Sequence, residues 1–244
     1  MLLKKWENLP SEMQTEEVRK YYDILRKKKF GLLIKRAFDI VVSLFLLMLL
    51  SPVFLILAIA IKLDSKGPVF YRQVRVTQYG KRFRIFKFRS MVQRADEGLQ
   101  VTVGNDCRIT RVGKVVRKCR LDEISQLLDV LRGTMTFVGT RPEVPKYVEA
   151  YTPEMMATLL LPAGVTSLAS IYYKDEDARL KDAEDVDQAY IQDVLPEKMY
   201  YNLKAIEQFS LWQDIRTMFM TVFAMLGKEY RGKTQIEKIG GREQ

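Results

Sequence analysis

A long apolar run constrains this chain more than any other feature. Residues 40–61, IVVSLFLLMLLSPVFLILAIAI, span 22 positions without one charged side chain. As a helix that rises about 1.5 Å per residue, the run is long enough to cross a hydrocarbon layer of about 30 Å. It is too long for the apolar region of a signal peptide, and we expect no cleavage after it. The run therefore predicts a membrane helix.

A central proline and two basic flanks predict how this helix lies in the membrane. Pro52 removes one backbone donor and its ring clashes with the carbonyl of Met48, so a break or kink is expected at Ser51-Pro52. The net charge is +5 over residues 1–36 and +9 over residues 62–94. Because Lys and Arg favour the cytoplasmic side, two basic flanks favour a re-entrant helix that enters and leaves by one face. A kinked spanning helix is the alternative.

The composition narrows the chemistry that the chain can perform. It carries 40 Lys and Arg against 30 Asp and Glu, a net charge of +10, which predicts an anionic partner: nucleic acid, lipid head groups or a phosphorylated substrate. The absence of histidine excludes Ser-His-Asp and Cys-His catalysis and histidine-ligated metals. Cys107 and Cys119 fit neither a CxxC pair nor a zinc site and indicate a reducing cytoplasmic environment.

Hydrophobic periodicity predicts elements on both sides of the apolar run. Residues 11–29 predict an amphipathic helix with a Ser11–Gln14 capping box, lying either on anionic lipid or against the domain. Residues 68–91 predict a basic β-hairpin that turns at Tyr79-Gly80.

Further elements are predicted in the C-terminal half. Residues 120–132 predict a helix stopped by Gly133, with a short strand and turn at 136–142. Residues 196–227 predict a helical region whose last part has an apolar face beside Trp212; a packing helix is favoured and an interfacial helix is the alternative. The acidic stretch 175–187 predicts a solvated loop or short helix.

The adjacent carboxylates Asp122 and Glu123 are the candidate for chemistry. They open the predicted helix, where the helix dipole favours their charged forms; taken alone, the pair is better explained as plain helix capping. Carboxylates among arginines suit phosphoryl transfer, because the cations hold phosphate oxygens while one carboxylate attacks phosphorus or binds a divalent metal. Four basic residues surround the pair in sequence: Arg117, Lys118, Arg120 and Arg141.

The order of these motifs resembles the bacterial sugar transferases, the monotopic phosphoglycosyl transferases. The resemblance covers residues 33–226 and rests on KRAFDIVVSLFLLMLLSPVF, FKFRSM and RLDEISQLLDVLRGTMTFVGTRPE. It implies an α+β fold: a re-entrant, helix-break-helix membrane hairpin and a mainly helical cytoplasmic catalytic domain with a small β-hairpin and amphipathic interfacial helices. The expected parts are an N-terminal amphipathic extension at 1–32, the membrane helix at 33–66, the catalytic domain at 67–227 and a polar tail at 228–244.

The resemblance also implies a reaction and the residues that perform it. A sugar-1-phosphate moves from a nucleotide diphosphate sugar, usually UDP-linked, to undecaprenyl phosphate at the cytoplasmic face of the inner membrane, in the first membrane step of surface-glycan synthesis. Asp122 is the implied nucleophile, forming an aspartyl phosphosugar, and Glu123 the implied ligand of Mg²⁺. The oligomeric state is left open, with a homodimer as one form. The implied substrate-binding residues are Arg117, Arg141, Lys87 and Arg89, and the implied helix break is Ser51-Pro52.

The chain departs from the family pattern at a few positions, and two alternatives lack catalysis. Ser125 replaces a usual proline, Thr140 stands before Arg141-Pro142, and Ser167 and Ser170 suggest a branch with its own sugar or nucleotide specificity. One alternative is a membrane-tethered binder of nucleic acid or anionic lipid, and the other is a membrane scaffold with a spanning helix. The first predicts salt-sensitive nucleic-acid binding; the resemblance instead implies no nucleic-acid partner.

Overall fold

One long helix carries the apolar run, and shorter elements pack along it. The computed structural model describes residues 3–92, 108–173, 185–228 and 230. The helices are α1 (Glu16–Lys27), α2 (Lys29–Asp64), α3 (Arg111–Lys118), α4 (Leu127–Arg132), α5 (Pro145–Val148), α6 (Leu168–Tyr172), α7 (Val186–Ala189), α8 (Leu195–Glu207) and α9 (Leu211–Met225). The strands are β1 (Phe70–Tyr71), β2 (Val74–Val76), β3 (Arg82–Arg84), β4 (Lys87–Phe88), β5 (Met135–Val138) and β6 (Ala163–Thr166). Single turns of 3₁₀ or π helix fill several connections: Trp6–Asn8, Ser11–Met13, Gln78–Gly80, Leu121–Gln126, Met155–Leu160 and Tyr190–Val194.

Helix α2 is 36 residues long and continues through Pro52. The Ser51 hydroxyl donates a hydrogen bond to Met48 O at 2.8 Å. Met48 O is the carbonyl that the missing Pro52 N–H leaves without its helical donor, so the serine satisfies it. The helix does not end at Ser51-Pro52, so the predicted break is wrong, whereas the kink that was the other expectation there stays a prediction. The helix also begins at Lys29, earlier than the expected boundary at residue 33.

One face of α2 packs on the domain and the other is an exposed apolar surface. Leu32, Leu57 and Ile61 are buried. Within the described residues, α2 is the one helix long and apolar enough to cross a membrane by length and composition. A water-soluble helix rarely exposes so much apolar surface, which makes membrane association plausible for this face. The exposed large side chains include Val41, Phe45, Met48, Leu49, Leu55, Ile56 and Ile59.

Short strand pairs confirm the predicted hairpin and add a strand that the sequence did not indicate. Strands β2 and β3 pair antiparallel around the turn at Gln78–Gly80, and β1 pairs antiparallel with β4. Strand β5 pairs in parallel with the unpredicted β6. A Cβ on Gly164 of β6 would lie 2.2 Å from the backbone of Gly139, so this close approach of two chain segments requires glycine.

The N-terminal segment packs against the domain. Helix α1 begins at Glu16, and the side chain of Thr15 caps it by accepting from Val18 N, so the predicted capping box at Ser11 is wrong. The apolar stripe of α1 is buried in a core that includes the 3₁₀ helix Met155–Leu160 and the end of α8, which excludes the alternative that this stripe lies on lipid. The buried residues of the stripe are Val18, Tyr21, Tyr22 and Leu25.

Helix α9 turns only part of its large apolar surface outward. Thr217 and Ala224 are its buried residues, because small side chains let the helix approach the domain closely. The favoured interpretation of a packing helix holds for one part of the predicted apolar face: Met218 packs on the core that contains Phe137, whereas Phe219 and Val222 are exposed. Most of the acidic stretch at 175–187 and Cys107 lie outside the described residues; Cys119 is an exposed free thiol. The exposed side chains of α9 are Trp212, Phe219, Val222, Phe223 and Met225.

Candidate active site

The two carboxylates lie on a 3₁₀ helix that is fixed to strand β4. Asp122 and Glu123 belong to the turn Leu121–Gln126, which directly precedes α4, so the predicted helix starts as 3₁₀ rather than α. Arg120 takes a left-handed conformation at φ 52° and turns the chain from α3 into this helix. The fully buried Ser125 donates through Oγ to Phe86 O at 3.0 Å. This bond brings the 3₁₀ helix against β4, whose first residue is Lys87.

Two cations that are distant in sequence contact the carboxylates. Arg141 Nη2 lies 2.6 Å from Glu123 Oε1, and Lys87 Nζ lies 3.4 Å from the same oxygen. Lys87 Nζ is also 4.0 Å from Asp122 Oδ2. Both carboxylate side chains are 18% exposed, so they are largely shielded but open to a ligand. The structure thus brings together four of the residues that the sequence singled out.

Burial and neighbouring charges shift the pKa values of the two carboxylates in opposite directions. Burial raises the pKa of Asp122, and the Glu123 charge adds to this effect, against the cations of Lys87 and Arg117. Burial would also raise the pKa of Glu123, but Arg141 and Lys87 outweigh it and hold that pKa far below its usual range. Glu123 is thus a firmly ionised carboxylate, whereas Asp122 is the more basic of the two.

Arg117 lies in the last turn of α3, five residues before Asp122, and has an unsatisfied donor. Its Nη1 is buried and has no hydrogen-bond partner in the described part of the chain. A buried guanidinium nitrogen without an acceptor is costly, and such a donor is suited to an incoming anion. Its charge also opposes the rise in the pKa of Asp122, which places Arg117 in the electrostatic surroundings of the pair.

Arg89 follows Lys87 by two positions but binds elsewhere. Its guanidinium donates to Ser65 O at 2.6 Å, to Lys66 O at 2.9 Å and to Ile61 O at 3.3 Å. It therefore caps the C-terminal end of α2 and is not brought to the carboxylates. Ser51 and Pro52 are exposed on α2 and take no part in the cluster.

The carboxylate pair fits a hard divalent cation that is completed by substrate. No group of three or more His, Cys, Asp or Glu side chains able to hold a metal is found among the residues described. Mg²⁺ is commonly held by one or two carboxylates together with substrate phosphates and water, so a larger protein cage is not required. Within the described residues, the ion-pair contacts of Glu123 with Arg141 and Lys87 both fall on Oε1.

Residues that the sequence analysis missed surround Arg141. Arg75 donates from Nη1 to Pro142 O at 3.1 Å and is held by Gln73 Oε1 at 2.7 Å. Glu143, the residue after Pro142, is buried and hydrogen-bonded to Tyr190. The position of Glu143 in the TRPE motif was a usable signal, but no local pattern connects it with Tyr190.

Comparisons with known proteins show the family of this chain. The model of the family described as "Bacterial sugar transferase" matches residues 30–228. A UDP-N-acetylgalactosamine-undecaprenyl-phosphate N-acetylgalactosaminephosphotransferase of Aeromonas hydrophila is 37% identical over 201 residues, covering 79% of this chain and 44% of the relative. A UDP-glucose:undecaprenyl-phosphate glucose-1-phosphate transferase of Escherichia coli K12 is 36% identical, covering 78% and 40%. The exopolysaccharide production protein PSS of Rhizobium leguminosarum is 37% identical, covering 80% and 96%.

This chain belongs to the bacterial sugar transferase family. The family match includes nearly all of α2, the carboxylate pair and Arg141. The chain spans less than half the length of the first two relatives and nearly the whole length of the Rhizobium protein.

Because Arg89 binds the end of α2 and not the carboxylate pair, its replacement should affect stability. Replacing Arg89 by Met should lower the free energy of unfolding by about 2–4 kcal/mol, because carbonyls at the end of α2 lose their charged donor. Chemical denaturation in detergent measures this loss. The control Arg82→Met removes an exposed arginine of the same hairpin and should stay within about 0.5 kcal/mol of the wild type. Equal stability of both variants would contradict the capping role.

Proposed function

We propose that this protein transfers a sugar-1-phosphate from a UDP-linked sugar to undecaprenyl phosphate, as the names of its Aeromonas and Escherichia relatives describe for those proteins. The observation that carries the proposal is the Asp122–Glu123 pair held by Lys87 and Arg141 in a chain of this family. A phosphorylated donor and a lipid phosphate are both anions, and the basic surroundings of the pair suit them. The product would start the synthesis of a capsule, an exopolysaccharide or another surface glycan.

Asp122 is the nucleophile in the proposed reaction. One of its oxygens forms a bond to the phosphorus that carries the sugar, while the bond from that phosphorus to the bridging oxygen breaks and nucleoside monophosphate leaves with the oxygen. An oxygen of the lipid phosphate then attacks the same phosphorus, and the bond to Asp122 breaks. Both nucleophiles are already anions, so neither step needs a proton acceptor. A chain without histidine can therefore perform both.

The electrostatics of the pair support this division of roles. The raised pKa of Asp122 corresponds to a more basic, hence more nucleophilic, oxygen once the carboxyl group is ionised. Lys87 favours that ionised form at neutral pH. The unsatisfied nitrogen of Arg117 and the guanidinium of Arg141 can hold phosphoryl oxygens as charge redistributes around phosphorus.

Glu123 is the proposed ligand of Mg²⁺, together with phosphate oxygens of the donor. The cation, when bound, would neutralise phosphate charge. Glu123 suits this task because Arg141 and Lys87 keep its carboxylate ionised, as a metal ligand must be. Arg141 would in addition hold the carboxylate in one orientation through its 2.6 Å contact.

A covalent intermediate makes the first prediction of this proposal. Purified protein incubated with a panel of UDP-sugars and no lipid should release UMP once per active site and retain a sugar-phosphate on the tryptic peptide that contains Asp122, detected by mass spectrometry. Asp122→Asn should lose both the adduct and turnover, because an amide is a poor nucleophile, whereas the exposed control Asp193→Asn should keep them. Near-normal turnover of Asp122→Asn would refute the mechanism and favour a capping role.

Metal dependence is tested separately on Glu123. Chelation should abolish UMP release and added Mg²⁺ should restore it. Glu123→Gln should lower turnover by at least about 100-fold while the protein stays folded and membrane-bound, since it removes a charged ligand. Full turnover in excess chelator would eliminate the metal from the proposal.

The contacts of α2 support a re-entrant course at the cytoplasmic face of the inner membrane. Near its N-terminal end, Arg36 donates to Val130 O at 2.6 Å, and at its C-terminal end Asp64 Oδ2 accepts from Val112 N at 2.9 Å. Both ends are therefore bound to one stretch of chain, residues 112–138, and apolar residues between them pack on the same domain. A spanning helix would instead separate its ends by about 30 Å of hydrocarbon.

The outward face of α9 supports the same placement. Trp212 and Phe219 are 76% and 62% exposed, and both are residue types that favour the membrane interface. Lys35 of α2 binds Asp214 of α9 at 2.5 Å, so the two helices are held together. Their exposed apolar faces would meet one leaflet, with the basic flanks of α2 near anionic lipid head groups.

Cysteine labelling distinguishes the two courses of α2. In a variant without Cys107 and Cys119, single cysteines replace the exposed Lys29 and Lys62 near the two ends of the helix. Both should react with a membrane-impermeant maleimide only after the inner membrane is opened, since both ends lie in the cytoplasm. Labelling of just one of them from the periplasmic side would show a spanning helix. Pro52→Ala should shift some molecules toward that spanning form, because it restores a regular backbone.

The alternatives without catalysis make opposite forecasts. A nucleic-acid binder that uses the hairpin at 68–91 would bind nucleic acid in a salt-sensitive way and would not respond to Asp122→Asn. A membrane scaffold would release no UMP from any donor. Family membership and the cation-held carboxylate pair both favour the transferase over these alternatives.

A further inference from the structure

A second polar cluster is completely enclosed behind Arg141. Glu143 is 6% exposed, and its Oε1 accepts hydrogen bonds from Tyr190 OH at 2.6 Å and from Lys198 Nζ at 3.3 Å. Lys198 Nζ also donates to Tyr190 OH at 2.8 Å, which closes a triangle of three buried side chains. Buried charges persist only when paired and hydrogen-bonded, so this cluster imposes one arrangement on the elements that carry it.

The cluster holds the turn that carries Arg141. Glu143 follows Arg141 by two residues, whereas Tyr190 and Lys198 belong to the C-terminal helical region, on the π turn and on α8. The carboxylate of Glu143 is thus the side-chain link between that region and the turn. Four further hydrogen bonds hold main-chain groups on either side of Arg141: Gly139 N to Thr166 O at 3.0 Å, Gly164 N to Thr140 O at 2.8 Å, Arg75 Nη1 to Pro142 O at 3.1 Å and Val76 N to Glu143 O at 2.9 Å.

Charge connects the cluster to the carboxylate pair as well. Burial alone would raise the pKa of Glu143, but the Lys198 charge and the Tyr190 hydrogen bond hold it below its usual value, so Glu143 is ionised. That negative charge stabilises the buried cation of Arg75, which is repelled by Arg141. Loss of the Glu143 charge would leave the buried Arg75 without this compensation for its repulsion by Arg141.

We propose that Glu143, Tyr190 and Lys198 are positioning residues that fix Arg141 against Glu123. This inference rests on the proposed transferase function. It assigns Tyr190 and Lys198, in the C-terminal helical region, a role in that reaction through Glu143 and not through contact with the carboxylate pair. The 2.6 Å contact between Arg141 and Glu123 depends on where the turn is held. A displacement of about 1 Å at such a site can lower the rate by about 100-fold.

Two stacked tyrosines supply a matched pair of variants. The rings of Tyr147 and Tyr190 stack with centroids 4.4 Å apart, in the same apolar cluster. Each hydroxyl donates to a carboxylate at 2.6 Å, that of Tyr190 to Glu143 and that of Tyr147 to Asp187. Tyr190→Phe and Tyr147→Phe therefore remove the same chemical group from two stacked rings, in one case from the buried Glu143 and in the other from the partly exposed Asp187.

The expected result is a difference in kcat between these variants. Tyr190→Phe should lower the kcat of UMP release by about 5- to 20-fold with KM for the donor changed less than about twofold, because the misplaced Arg141 acts on the transition state. Tyr147→Phe should keep kcat within about twofold. Lys198→Gln, which removes the charge and keeps a long polar side chain, should repeat the loss of Tyr190→Phe and serves as the second variant.

A double-mutant cycle with Arg141→Ala tests whether Tyr190 acts through that arginine. If it does, Tyr190→Phe costs less than about twofold in the Arg141→Ala background, because the group that it positions is already absent. If Tyr190→Phe lowers kcat by the same factor with and without Arg141→Ala, the inference is overturned. It is also overturned if Tyr190→Phe and Tyr147→Phe lose kcat equally and show the same fall in Tm. If the wild-type protein turns over, Asp122→Asn does not, and Tyr190→Phe keeps the wild-type kcat, the positioning role alone is refuted. Wild-type protein without turnover would instead refute the proposed function.

Discussion

A buried polar junction between the membrane helix and strand β5 underlies the rest of the structure. Lys35 of α2 donates to Val138 O at 2.9 Å and pairs with Asp214 of α9, while Asp39 accepts from Thr136 Oγ1 at 2.7 Å. Lys35 and Asp39 are almost completely buried. Such groups are stable only in one arrangement of partners, so they specify how the apolar helix meets the domain. Strand β5 then leads directly into the turn that presents Arg141.

The carboxylate pair likewise consists of charged groups that are held in place by oppositely charged partners. Its two acidic side chains contact Lys87 and Arg141, and Arg117 offers a further donor. The excess of cations suits a ligand that brings several negative charges and requires no proton to be moved. The high net positive charge and the absence of histidine both fit such a ligand, because cations bind its negative charges and no side chain has to accept a proton.

The sequence predicted local elements well and long-range contacts poorly, for physical reasons. The hairpin at 68–91 and the stop at Gly133 depend on turn residues, whose effect is local. At Pro52 the hydroxyl of Ser51 replaces the missing backbone donor to Met48 O, and periodicity does not report this contact. The sequence did not show which part of the apolar face of α9 is exposed, because outward-facing and core-facing stripes look alike in sequence. Arg141 was among the basic residues near the pair in sequence and Lys87 came from the family resemblance, whereas Tyr190 and Lys198 bind Glu143 across a sequence distance that no motif encodes.

The place of α1 has a consequence for how the chain is made. Helix α1 precedes the membrane helix, but it packs on the 3₁₀ helix Met155–Leu160 and on residues near the end of α8, which the ribosome adds much later. The apolar run of α2 therefore leaves the ribosome while the partners of α1 do not yet exist. The core that buries α1 is completed only after residues near the end of α8 have been added to the chain.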